Sequence, residues 1–229
     1  MQKGFSPNEF VKADILQQYN EEEANYRIIT SLSKEEKEEY SVLLGKLKRI
    51  HRKNSKSTTK EKGETLEKLV SFLIEKSTVF EIHQNIRTSS NEIDQLIAIN
   101  AIGRKFKAKG YLDLKDDIIL SECKNYHEKV GVTWVGKFAS LMTYTESRLG
   151  LIFSYHGLAG KGWEDAIGLT KKLYLGRPKD EKLFILDFNK EDFERIEKGH
   201  NLLELIKAKT LALQTDTKFE HLITSHPAQ

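Results

Sequence analysis

Two side chains of opposite charge close an aliphatic run: Glu122 and Lys124, at the end of Ile118-Ile119-Leu120-Ser121-Glu122-Cys123-Lys124. In an extended chain alternate residues share a face, so Ile118, Leu120, Glu122 and Lys124 point one way and Ile119, Ser121 and Cys123 the other. Taken alone, such a pair is an ordinary strand-end ion pair. It becomes a chemical site only if further carboxylates join it. Asp94 heads another aliphatic run and shares a face with Leu96 and Ala98, a position unfavourable for a carboxylate unless it is paired or binds a cation. Glu67 borders the apolar stripe Leu66, Leu69, Val70 and Leu73 of a helical segment, beside Val70 and Ile74, while Glu64 lies nearer the opposite side. Hard oxygen donors of this kind suit Mg²⁺, with Mn²⁺ as its substitute, because Mg²⁺ keeps several waters and takes one or two carboxylates together with substrate phosphate. The chemistry would be hydrolysis of a phosphate ester, the metal providing a nucleophilic water and neutralising charge that builds on phosphorus. Lys124 would position or deprotonate that water, or stabilise the developing anion; the sequence does not choose among these.

Composition narrows the rest. The chain has 229 residues, one cysteine, 31% charged residues and a formal net charge of +3, so what matters is where the charges cluster rather than their sum. With Cys123 alone there is no disulfide framework and no cysteine zinc site. The N-terminal residues lack the apolar core of a signal peptide, and no apolar run approaches membrane-spanning length. The expectation is a soluble, cytoplasmic protein without a membrane partner.

The elements that must position the acids follow from periodicity. Residues 1–53 read as two or three helices with too few apolar positions for a core of their own, an N-terminal helical extension to a domain spanning 60–229. Ser33 is a cap with acidic residues behind it. Residues 46–62 carry eight Lys or Arg against one Glu, either a solvated linker or a phosphate-binding arm. Gly63 is expected to open the helix that carries Glu67. Strands are expected over 79–86, 93–99, 118–124, 150–155 and 183–188, with helices over 132–148, 163–175, 190–198 and 202–209 and a polar, frayed tail from Thr215. The segment 103–110, Gly-Arg-Lys-Phe-Lys-Ala-Lys-Gly, reads as a basic hairpin loop. Its Arg104, Lys105, Lys107 and Lys109 are candidate nucleic-acid contacts, or else a solvated turn. In the helix from Val132, Trp134, Phe138, Leu141 and Thr145 share a face, and Lys137 projects elsewhere as a further candidate contact. This order is an α/β architecture: a mixed sheet flanked by helices, parallel at its later strands.

Asp94 followed by Glu122-Cys123-Lys124 resembles the D…(D/E)-x-K signature of the PD-(D/E)xK nuclease superfamily, and the surroundings are similar to its Mrr-type restriction endonuclease branch. Gly63-x-x-Leu66-Glu67-x-Leu69-Val70 resembles that branch's opening helix. Asn91-Glu92-Ile93-Asp94 resembles its aspartate strand, and Ser121-Glu122-Cys123-Lys124-Asn125-Tyr126 its E/Q-x-K strand. Gly150–Ser154, a glycine turn with Trp163-Glu164-Asp165-Ala166, and Ile185-Leu186-Asp187 resemble the later strands and helix. The likeness covers about residues 61–209. No proline precedes Asp94, the gap to Glu122 is longer than a tight hairpin needs, and the first 53 residues have no counterpart. The resemblance implies a restriction-endonuclease-like fold and a Mg²⁺-dependent DNA endonuclease of restriction or defence type. Asp94, Glu122 and the Cys123 backbone carbonyl would be metal ligands, Glu67 an outer or second-metal contact, and Lys124 the catalytic lysine. The same fold serves repair, junction and RNA-directed nucleases and inactive DNA-binding or scaffold proteins, which stay open as alternatives. A double-strand break calls for two sites of opposite polarity, hence a homodimer, with the N-terminal helices as the expected contributor.

Overall fold

The computed structural model describes residues 7–53, 55–87, 92–114 and 116–223. Asn91, quoted above beside Asp94, lies outside them. The elements run α1 (Pro7–Thr30), α2 (Lys34–Ile50), α3 (Thr59–Lys76), β1 (Phe80–Arg87), β2 (Glu92–Ile99), α4 (Ala101–Ala108), β3 (Ile118–Cys123), α5 (Val132–Tyr144), β4 (Leu149–Phe153), α6 (Asp165–Leu175), β5 (Phe184–Phe188), α7 (Lys190–Glu197) and α8 (Leu202–Thr215). The five strands lie in sequence order. β1, β2 and β3 are antiparallel, and β3, β4 and β5 are parallel, so the sheet is mixed and parallel at its later strands, as the element order predicts.

The strict two-residue alternation of β2 and β3 divides the core into two layers. Ile97, Ile99, Ile119 and Cys123 face the layer built with α3 and α8. Leu120 faces α5 and α6, together with Val135, Phe138 and Met142, and Leu96 packs against that layer. Gln95 interrupts the first layer at 2% exposure, which is tolerable because its amide is satisfied: Nε2 donates to Ser71 Oγ at 3.2 Å and Oε1 accepts from Ser121 Oγ at 3.1 Å. That pair pins β2, β3 and α3 in register just below the end of the sheet where the acids gather.

Three local expectations are corrected. α3 begins at Thr59 rather than Gly63, because Thr58 and Glu61 form a reciprocal capping box inside the basic run. Residues 103–110 are not a hairpin loop: Asn100 caps α4 by accepting from the N–H groups of Ile102 and Gly103, and Gly103 seats the helix against the chain, where a Cβ would lie 2.4 Å from the Val79 carbonyl oxygen. The face that Trp134, Phe138, Leu141 and Thr145 share is buried only at Phe138. The buried positions of α5 are Val135, Phe138, Ala139 and Met142, and Trp134 is 37% exposed. At the C-terminal end, α8 continues to Thr215, and a 3₁₀ turn, Phe219–His221, follows it.

α2 is integral to the packing. Its Ser33 cap forms a full capping box with Glu36, and Tyr40, Leu44 and Leu47 are fully buried in the α3 layer. The Tyr40 hydroxyl donates to the Phe193 carbonyl of α7 at 2.9 Å, and Lys48 pairs with Glu194 and Glu197 of that helix. α1 touches the rest through Tyr26, edge-on to Phe106 and stacked with Tyr111, through Tyr19 tilted against Tyr111, and through Glu22, and leaves Val11, Ile15, Leu16 and Tyr19 more than half exposed. Among the described residues no helix is long and apolar enough to cross a membrane.

Candidate active site

Antiparallel pairing sets Gln95 opposite Ser121, so Asp94 and Glu122 meet at the same end of the sheet and on the same face. Lys124, just past β3, bridges them: its Nζ contacts Glu122 Oε1 and lies 3.6 Å from Asp94 Oδ2. The site is half-sheltered, with side-chain exposures of 17% for Lys124, 16% for Glu122 and 32% for Asp94. Glu67, exposed on α3, is near enough for the charges of Asp94 and Lys124 to act on its carboxyl. The structure thus brings together Glu67, Asp94, Glu122 and Lys124, from three separate elements. The Cys123 thiol is buried beneath them, and the Cys123 carbonyl belongs to the last residue of β3.

The electrostatics are those of an acid cluster carrying more negative charge than one lysine balances. Burial pushes the Glu122 carboxyl up to about 7, the charge of Asp94 adds to that, and Lys124 opposes it. Burial and the nearby Asp94 and Glu64 charges likewise raise Glu67, against a lowering by Lys124. Burial raises the Cys123 thiol, reinforced by Asp94, Glu67 and Glu122, so it is no thiolate nucleophile. For Lys124, burial pulls the ammonium down, but Glu122 and Asp94 outweigh it and hold it above the ordinary lysine value. Lys124 is therefore a cation here, and a poor base while the acids carry its counter-charge.

The ammonium has a further neighbour that sequence reading missed. It stands 4.9 Å from the centroid of the Trp134 ring, which also receives Lys137 Nζ at 4.7 Å. Tyr126 packs against the same indole at 5.9 Å. Lys137, expected to project elsewhere, is thus brought to the rim of the site. The signal was available: an indole one helix turn from a lysine, at the start of a helix that follows the acid strand closely.

The α4 cations are not brought there. β2 runs from Asp94 to Ile99 before α4 begins, which puts that helix at the opposite end of the strand, roughly 17 Å away. Arg104 Nη1 donates to the Ile99 carbonyl at 2.8 Å, Lys107 pairs with Asp117 at 2.7 Å and Lys109 with Glu22 at 2.8 Å, while Lys105 faces solvent.

Among the described residues no three His, Cys, Asp or Glu side chains are gathered tightly enough to cage an ion unaided. The donor set still fits Mg²⁺ or Mn²⁺. These ions need only one or two carboxylates when waters and a phosphate complete the shell, and Asp94 and Glu122 provide two hard oxygen groups whose mutual repulsion a cation relieves. Scans against family models, curated proteins and solved structures each return no match for this chain.

Proposed function

We propose that the protein is a Mg²⁺-dependent DNA endonuclease of the PD-(D/E)xK kind, restriction- or defence-type and acting in the cytoplasm. The observation that carries this reading is the convergence of Glu67, Asp94, Glu122 and Lys124 at one sheet edge, with Glu122 driven up to about 7 by burial and a second carboxylate. A merely structural ion pair would leave no such surplus of acid.

Asp94 and Glu122 would hold the ion, the Cys123 carbonyl would complete the protein side, and Glu67 would take an outer or second position. When bound, Mg²⁺ supplies Lewis acidity at a phosphoryl oxygen and an acidified water. Lys124, kept as an ammonium, donates hydrogen bonds to the equatorial oxygens as negative charge builds there, which favours charge stabilisation over proton abstraction. A water oxygen forms the new P–O bond and gives up a proton to solvent, one ester P–O bond breaks, and the leaving alkoxide takes a proton from solvent. Trp134 would keep the ammonium at the site if the carboxylates held the ion, since its face attracts a cation without competing for a metal.

A homodimer belongs to the same proposal: the apolar stripe of α1, exposed at Val11, Ile15, Leu16 and Tyr19, is the surface on which a second copy would bring a site of opposite polarity. The test of function is conversion of supercoiled plasmid in Mg²⁺, by the wild-type chain and by Lys124→Ala. Cleavage by the first and loss of at least about a hundredfold in the second is the expected result. DNA retardation without cleavage by the wild type would instead favour an inactive binding protein.

A further inference from the structure

Beside the acid cluster, at the carboxyl ends of the parallel strands, lies a patch of the opposite sign. Asn125 follows Lys124 directly, is 5% exposed, and ties two N-terminal elements to this edge: its Nδ2 donates to the Lys62 carbonyl at 2.6 Å and its Oδ1 pairs with His51 Nε2 at 2.7 Å. The first bond fixes the amide's orientation, so His51 Nε2 carries the proton and its buried Nδ1 is a bare acceptor, without a partner among the described residues. His51 stacks flat on Tyr155, with ring centroids 3.9 Å apart, and meets His156 edge-on at 5.0 Å.

Lys62 is the anomaly. It is 2% exposed, yet among the described residues no carboxylate lies within 4.0 Å of its Nζ. The ammonium donates instead to the ring of His127, Nε2 being the nearer nitrogen and Nδ1 lying at 3.3 Å. A buried cation served only by an imidazole lacks its counter-charge. Burial lowers His156, and the neighbouring charges are mostly positive: His127, Lys129 from the loop after β3 and Lys190 from the start of α7 lower it further, and Glu191 opposes them. The exposed side chain of Glu128 adjoins His127 along the chain.

We infer that the Lys62–His127 patch is an anion site that receives a backbone phosphate of the DNA strand flanking the scissile one, the exposed His127 ring yielding the Lys62 ammonium to a phosphodiester oxygen. This rests on the nuclease reading and deepens it: the strand runs from the acid cluster over Asn125 and Tyr126 to this patch, not toward α4. Carboxyl ends of parallel strands are where open α/β sheets bind ligands, and α2 and α3 are held there by Asn125.

The test is binding of a fluorescent DNA duplex by the Glu122→Gln protein, titrated between about 50 and 200 mM salt. Lys62→Met, which keeps the buried stem, and the surface change Lys129→Ala should each weaken binding and reduce the slope of log K against log salt by about 0.9 for each phosphate no longer neutralised. Lys105→Ala on α4 should leave that slope unchanged. The surface variant carries the test if Lys62→Met unfolds cooperatively at a much lower temperature. Binding by the parent with unchanged slopes in both patch variants overturns this site alone. Absence of binding by the parent at every salt overturns the nuclease reading, and the site with it.

Discussion

Replacing Glu122 by Gln should make the metal-free protein relatively more stable as pH rises. In the folded chain burial and Asp94 push this carboxyl up to about 7, against an ordinary value of 4.5. Its folded state thus holds a proton that the unfolded chain has already released, and between those two values stability falls as pH rises. Below pH 4.5 the penalty is absent, and above 7 it is fully present. At 16% side-chain exposure the group is sheltered enough for the shift to count, and it amounts to roughly 3 kcal/mol as an upper figure. Gln also removes the attraction of Lys124 for the ionised carboxylate, but that attraction already lowers the folded-state value to about 7, so it adds no separate dependence on pH. The difference in unfolding free energy, Glu122→Gln minus wild type, should therefore move in favour of the variant by about 2–3 kcal/mol between pH 5 and pH 8. Denaturant unfolding at both pH values, in chelator, measures it. Saturating Mg²⁺ should shrink the change, since the ion takes over the charge that the proton neutralised. A difference independent of pH would refute the idea that surplus acid is stored at this site.

Other expectations are simpler. Gly150→Ala in β4 should destabilise by about 1–3 kcal/mol in thermal or denaturant unfolding, because its Cβ would lie 2.5 Å from Phe138 Cε1 and 2.6 Å from Met142 Sδ. Burial depresses His51 to about 4 against the Asn125 bond, so the unfolded chain binds the proton first, and wild-type stability should fall as pH drops from 6.5 towards 4; His51→Gln should flatten that acid limb in pH-dependent unfolding. A chain starting at Ser33 should scatter light as a monomer where the full chain scatters as a dimer, since it lacks the α1 stripe; a full chain that is itself monomeric would remove the homodimer.

What the sequence made legible was what repeats at short range. The two-residue period of β2 and β3 is enough to put Asp94 and Glu122 each on a defined strand face, and the Ser33 cap was readable because a cap and its third residue sit within one turn. The errors have the same origin. Gly103 reads as a turn glycine, yet it is a contact glycine against Val79, and no local pattern distinguishes the two. The basic run before Gly63 hid the Thr58–Glu61 box. Trp134 fits the apolar stripe of α5 by spacing, but two lysines draw its ring to the surface. Contacts such as Tyr40 to Phe193 and His51 to Asn125 join residues 153 and 74 positions apart, and nothing short of the folded chain reveals them. For the same reason the cationic surface was sought in two basic strings, 46–62 and 103–110, whereas the positive patch beside the acids takes Lys62 from the first and His127, Lys129 and His156 from separate segments.

The central claim is that Asp94 and Glu122 share a cation. A crystal soaked in Mn²⁺ and measured at the manganese absorption edge tests it most directly. The expected result is an anomalous peak bound by carboxylate oxygens of both residues at about 2.0–2.2 Å, with Lys124 released from Glu122 towards Trp134. Mn²⁺ bound elsewhere, or a Lys124–Glu122 pair that persists with no peak beside it, would contradict it.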